Sequence, residues 1–186
     1  MDVQIGKILD ALEATGKMDN TYIIFTGDHG LSVGHHGLIG KQNMYDHSMR
    51  VPLMIAGPGI PSNEKRDQRV YLQDVMPTVL EYAGVPQPEY VDFHSLTSLI
   101  QDANIDSPYP SVYGAYMNIH RMVISGDYKL IMYPKIEKLL LYNLIEDPEE
   151  MHNLAKQSEY QKKVKEMVQE LKTLQMEMED PLEIAD

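Results

Sequence analysis

The chain has 186 residues, with 16 Lys+Arg against 28 Asp+Glu for a formal charge of −12, 43% hydrophobic residues and no Cys. That length suits one domain, or a main domain with a smaller appendage, whose core can remove roughly 70% of the unfolded surface from water. The composition excludes disulfides, thiolate metal sites and a Cys nucleophile, the negative charge opposes the basic stripe of a broad nucleic-acid footprint, and no stretch reaches the ~18 consecutive apolar residues of a membrane span.

Val3, Ile5, Ile8, Leu9 and Leu12 recur mostly at three- and four-residue intervals, which predicts an amphipathic helix ending near Gly16. Asp19-Asn20 adds turn chemistry before Tyr22–Phe25, a short apolar run that reads as a buried parallel strand. Helix, turn and strand make the second half of a βαβ unit. Pro52–Gly59 predicts a further strand closed by a Pro/Gly turn, and residues 61–69 a solvated loop holding Lys65, Arg66 and Arg69. Val70 to Tyr82 reads as helical, with Pro77 in the first turn of a helix over 77–83 that Gly84 ends.

Residues 86–110, rich in Pro, Asp and Ser, read as a linker with one short helix at 95–101. Four β-like runs follow, Ser111–Tyr116, Arg121–Ser125, Tyr128–Tyr133 and Leu139–Tyr142, with Gly126-Asp127 as a two-residue hairpin. They predict a small antiparallel sheet. From Ser158, the residues Tyr160, Val164, Met167, Leu171, Leu174 and Met178 alternate at four and three, a helix with one apolar stripe. This stripe covers a face of the small sheet or, with under three heptads, forms a weak dimer seam. Residues 146–186 carry 5 Lys+Arg and 12 Asp+Glu, so −7 of the −12 lies there on a solvated face.

The segment after the first strand concentrates chemistry. Thr26-Gly27-Asp28-His29-Gly30 leads through Gly34-His35-His36-Gly37 to Lys41, and four of seven histidines fall at 29, 35, 36 and 47. Ligands of open α/β sheets sit beyond the carboxyl ends of the strands. There Asp28 and His29 resemble half of a metal site, and Lys41 is suited to an anionic substrate oxygen. From spacing alone, His35 and His36 read as loop residues and His47 as a local cap or ion-pair partner.

The residues Gly27-Asp28-His29-Gly30, Gly34-His35-His36-Gly37 and Lys41 through Leu53 (KQNMYDHSMRVPL) resemble the sulfatases of the alkaline-phosphatase superfamily. The resemblance continues through Asp74–Leu80, Ala83–Pro86, Gly126–Ile131 and Leu141–Glu150 to Asn153-Leu154, in the family's order over about 150 residues. It implies an α/β fold: part of a mostly parallel alkaline-phosphatase-like sheet with helices, plus a small C-terminal antiparallel sheet packed with a long helix. The expected division is residues 1–86 in the catalytic α/β domain, 87–110 as linker and 111–186 as an α+β subdomain.

Sulfatases hydrolyse sulfate monoesters with a formylglycine made from Cys or Ser in a C/S-x-P/A-x-R motif. This chain has neither that Cys nor a Ser in that pattern. The resemblance therefore implies the C-terminal part of a sulfatase, inactive alone, with the formylglycine expected in the N-terminal part. It carries Asp28 onto a ligand position for Ca²⁺ (Mg²⁺ as the alternative), a hard cation suited to carboxylate oxygen. His29 takes the companion position where many sulfatases have Asn, although imidazole prefers softer metals. Lys41 matches the lysine that contacts sulfate and steadies the leaving oxygen. His36 is assigned to the sugar or the leaving group, Asp46 stands where Glu is commoner, and Arg50 serves a local ion pair.

The implied substrate is a sulfated small molecule or carbohydrate, with no nucleic-acid partner. The implied location is periplasmic or extracellular. A homo-oligomer through Tyr22–Phe25 and the first helix is expected from their apolar faces. Two alternatives remain open: a phosphate or phosphonate ester as substrate, and a non-catalytic oligomerisation or sugar-binding remnant.

Overall fold

The computed structural model describes residues 1–182. The chain divides into two compact units: Met1–Gly27 with Pro52–Ser107, and Asp28–Val51 with the stretch from Pro108 onward. This division differs from one drawn by composition at 86 and 110. Residues 28–51 group with the C-terminal sheet because Met44 and Tyr45 bury themselves against it. Among the described residues no helix is long and apolar enough to cross a membrane.

In the first unit, α1 (Asp2–Ala14) has Ile5 and Leu12 half-buried and leaves Val3 and Ile8 exposed. Gly16 ends it at φ 67°, a left-handed conformation natural to glycine. Strand β1 (Ile23–Thr26) pairs antiparallel with β2 (Leu53–Ala56), Ile24 opposite Ile55. The expected buried parallel strand at 22–25 is thus half-buried, antiparallel and one residue later. An apolar run announces an extended strand but not the direction of its neighbour.

Helix α3 (Val75–Tyr82) starts two residues before Pro77, which as third residue needs no intrahelical N–H partner. Buried Asp74 accepts N–H bonds from Tyr71 (2.7 Å) and His94 (3.1 Å). The Thr78 hydroxyl donates to the Asp74 carbonyl (2.6 Å) and accepts from the Leu96 N–H (2.8 Å). Arg66 is not a solvated loop cation: its guanidinium donates to the carbonyls of Leu99 (2.6 Å) and Ile100 (2.5 Å) in α4 (Thr97–Gln101). The Pro/Asp/Ser-rich stretch is therefore tied to α3 and to the loop at 66.

The second unit is built on an antiparallel meander of β3 (Ser111–Tyr116), β4 (His120–Ser125), β5 (Tyr128–Tyr133) and β6 (Lys138–Asn143). Gly126 takes φ 52° in the β4–β5 hairpin, where Ser125 faces Tyr128. Both sheet faces are covered, so β4 and β5 are buried almost residue by residue. On one face Val123, Leu130, Met132 and Leu141 pack against Val164, Met167 and Leu171 of α5 (Gln161–Glu177). On the other, Met122, Ile124, Ile131, Leu140 and Tyr142 pack against Met44 and Tyr45. The apolar stripe of α5 thus covers the sheet, as its spacing predicted.

Candidate active site

The packing of Met44 and Tyr45 fixes the segment that carries the chemistry. Next to them, α2 (Asp46–Met49) is held by a charged cluster under the sheet. The fully buried Lys129 of β5 pairs with Asp46 and, at 2.7 Å, with Glu150. Glu150 also accepts the Asp46 backbone N–H at 2.6 Å. Burial pushes the Glu150 carboxyl up, while the Lys129 ammonium pulls it down. Arg50 reaches Asp46 only at 3.8 Å on the exposed side.

Gly30 joins the β1 end of this segment to α2. Its N–H donates to the Ser48 carbonyl at 2.9 Å, and a Cβ there would lie 1.9 Å from the His47 carbonyl oxygen. Only glycine permits that approach. Beyond Gly30 the chain turns through left-handed residues at Val33, Gly34, His36 and Gly37. It comes back through Ser32, whose N–H and hydroxyl both donate to the Gly40 carbonyl.

This loop brings Lys41 back to the residues that follow β1. The Lys41 ammonium contacts His29 Nε2, and Asp28 Oδ2 lies 3.1 Å from the same nitrogen. His29 Nδ1–H donates to the Gly30 carbonyl at 2.8 Å, which assigns the lone pair to Nε2. Carboxylate oxygen and imidazole lone pair, both acceptors, therefore stand side by side, an arrangement that favours a positive group. Lys41 supplies one to His29 Nε2. Asp28 is 86% exposed along its side chain, so its oxygens are open to ligands.

That donor set also answers whether a divalent cation fits. Two acceptor atoms 3.1 Å apart, with the imidazole's other N–H held by a backbone carbonyl, match the way proteins prepare a histidine ligand. Asp28 and His29 fit a hard-to-borderline divalent ion.

The profile of a family described as "N-sulphoglucosamine sulphohydrolase, C-terminal" matches residues 34–177. The chain belongs to the sulfatase family. It is 32% identical over 192 residues to an N-acetylglucosamine-6-O-sulfatase of Bacteroides thetaiotaomicron, covering 97% of this chain and 34% of that protein. With arylsulfatase K of Danio rerio it shares 35% over 166 residues, 84% of this chain and 32% of the other. A structure solved in complex with its substrate D-glucosamine-2-N,6-O-disulfate superposes with TM-score 0.88 and 31% identity over 97% of this chain and 39% of that one. A phosphonate monoester hydrolase from Silicibacter pomeroyi, at TM-score 0.84 and 21% identity, shares the fold. The chain spans about a third of the length of the curated sulfatases it matches.

Three of the four residues singled out from the sequence of this sulfatase segment, Asp28, His29 and Lys41, stand together. His36 does not contact them. Its ring stacks on Tyr45 at 3.9 Å, and its Nε2–H donates to the Glu149 carbonyl at 3.1 Å. His35, read as a loop residue, and His47, read as a local cap or ion-pair partner, meet each other: their Nδ1 atoms lie 3.3 Å apart, and His47 Nε2 meets the Ser32 hydroxyl at 2.7 Å. Burial, then the neighbouring His36 and His35, lowers the His47 pKa. The signal that could have joined these rings is the Gly34-His35-His36-Gly37 step, whose glycines permit the turn that folds 35 and 36 back toward 47.

Proposed function

We propose that this chain supplies one wall of the active site of a sulfate-ester hydrolase, acting on a sulfated small molecule or carbohydrate. The meeting of Asp28 Oδ2 and Lys41 Nζ at His29 Nε2, beside an exposed carboxylate, carries this reading. Support for the substrate class comes from the relatives, one named for N-acetylglucosamine-6-O-sulfate and one bound to a disulfated glucosamine.

A sulfate monoester is an anion, so its hydrolysis needs positive groups around the sulfate oxygens and the departing alkoxide. Asp28 Oδ2 and His29 Nε2 would hold the divalent cation, Ca²⁺ or Mg²⁺. When bound, that ion supplies charge neutralisation to the sulfate oxygens. The Lys41 ammonium would donate a hydrogen bond to the ester oxygen and offset the charge that develops there as the S–O bond breaks. His29 keeps its orientation through Nδ1–H and the Gly30 carbonyl. These 186 residues hold no Cys, and no Ser in the C/S-x-P/A-x-R pattern, to form formylglycine, and without that nucleophile the covalent route is closed. The segment by itself is therefore expected to have no turnover.

The test uses the full-length protein carrying this segment, with aryl sulfate, aryl phosphate and phosphonate monoester substrates. Lys41→Ala and Asp28→Ala each lower sulfatase kcat by about 10²–10³-fold, the usual cost of losing one transition-state electrostatic contact. Sulfate preferred over phosphate and phosphonate completes the result. Activity within twofold of the parent in both variants would overturn the assignment, and preference for a phosphorus ester would overturn the substrate class.

A further inference from the structure

A second cluster of ligating atoms lies in the same unit, away from the contacts of Asp28, His29 and Lys41. His35, His36 and His47 each offer one ring nitrogen, and the three atoms lie within 4.8 Å of one another. We infer that these three imidazoles form a binding site for a borderline divalent cation of the Zn²⁺ type, separate from the cation held by Asp28.

The hydrogen bonds around the rings decide which nitrogens are free. His36 Nε2–H is used by the Glu149 carbonyl, at 3.1 Å. His35 Nε2 lies 3.2 Å from Glu149 Oε2, a carboxylate oxygen that only accepts. The Ser32 hydroxyl spends its proton on the Gly40 carbonyl, so at 2.7 Å it accepts from His47 Nε2–H. All three Nε2–H groups are occupied, and all three lone pairs fall on Nδ1. Each ring is thereby held through Nε2 by a carboxylate, a carbonyl or a hydroxyl, the arrangement that prepares histidine for a metal.

The spacing agrees with this. Two nitrogens on a tetrahedral Zn²⁺, at ~2.0–2.1 Å from the ion, stand about 3.3 Å apart. The Nδ1 atoms of His35 and His47 are 3.3 Å apart. With both lone pairs on Nδ1, these atoms repel each other until a cation or a proton enters between them. An all-nitrogen set selects Zn²⁺ over Ca²⁺, which takes oxygen ligands. Three imidazoles leave a fourth position for water or an anion. The bound ion would tie the left-handed loop, which ends at Lys41, to α2.

The experiment uses the 186-residue chain, stripped of metal with a chelator and titrated with Zn²⁺ by calorimetry in the presence of excess Ca²⁺. One equivalent binds. His35→Asn and His47→Asn each lower the affinity by about 100-fold or more, and Glu149→Gln lowers it by about 10–100-fold. His29→Asn leaves it unchanged. Nitrogen-15 spectra of the unmodified chain provide a readout that needs no variant: Zn²⁺ shifts the Nδ1 resonances of His35, His36 and His47 and spares His29. No Zn²⁺ binding, affinity unchanged in both His35→Asn and His47→Asn, or shifts confined to His29 would overturn the site. None of these results depends on sulfatase turnover.

Discussion

Two clusters in the second unit, each joining an ammonium to carboxylate chemistry, are built from similar parts and meet opposite fates. Lys129, Asp46 and Glu150 sit under the sheet, the ammonium fully buried and both carboxylates within its reach. Asp28, His29 and Lys41 also combine a carboxylate with an ammonium, but stand open to water at the end of a strand. The difference is desolvation. A buried ammonium must keep its partners, because an unpaired charge in a low-dielectric core costs several kcal/mol. An exposed one can exchange a partner for a ligand at little cost. The sealed cluster holds α2 in place, and the open one is free to do chemistry.

The largest expected effect comes from breaking the sealed cluster. Lys129→Met leaves Asp46 and Glu150 beside each other without their buried cation, and Glu150 is already pushed up by burial. The loss is about 3–5 kcal/mol by urea denaturation. A compensating Lys129→Met/Glu150→Gln pair sharpens the point, because it removes one buried charge and recovers part of the loss. If Lys129→Met alone costs under about 1 kcal/mol, the cluster does not hold the segment.

A smaller effect is expected at a second buried pair. Arg121 Nε and Nη2 donate to the two oxygens of Asp180 at 2.5 and 2.8 Å, and Tyr113 donates to the same carboxylate. Arg121 holds the Asp180 carboxyl far below the usual carboxylate range, more than offsetting burial, which acts the other way. The folded pKa is depressed, so the pair contributes stability fully above the unfolded value of about 3.9, and that contribution is lost as pH falls through the folded value. Asp180→Asn should cost about 3 kcal/mol at pH 7 and progressively less below pH ~4. A cost independent of pH down to pH ~2 would show that the carboxylate's charge is not what stabilises the pair.

These two clusters mark where the sequence stopped being readable. Strands β3 to β6, the Gly126 hairpin and the stripe on α5 were legible because period-2 and period-3.6 patterns report local geometry. So was the trio at 28, 29 and 41, through glycine spacing and family resemblance. Lys129 was not, because a lone lysine in a strand reads as outward-facing, and its partners lie 83 and 21 residues away. The β-like run of β5 could not name Met44 and Tyr45 as the cover of one of its faces. The pairing of β1 with β2 was hidden for the same reason, since apolar runs carry no record of neighbour direction. The His35–His36–His47 grouping depends on backbone turns at φ 47–99° over residues 33–37, and spacing alone shows only that glycine permits them.

The smallest effect tests the open side of the comparison. Asp28→Ala and Lys41→Ala remove side chains that water already solvates, and surface substitutions of this kind usually change stability by no more than about 0.5 kcal/mol. Both variants of the 186-residue chain should therefore unfold at the parent's urea midpoint, whatever the same changes do to turnover of the full-length protein. Lys41→Ala frees His29 Nε2, but water replaces that contact. A loss above about 2 kcal/mol in either variant would mean that the trio is a structural clamp like the one at Lys129. The two clusters would then differ in exposure alone, and the case for ligand chemistry at residue 28 would lose its physical basis.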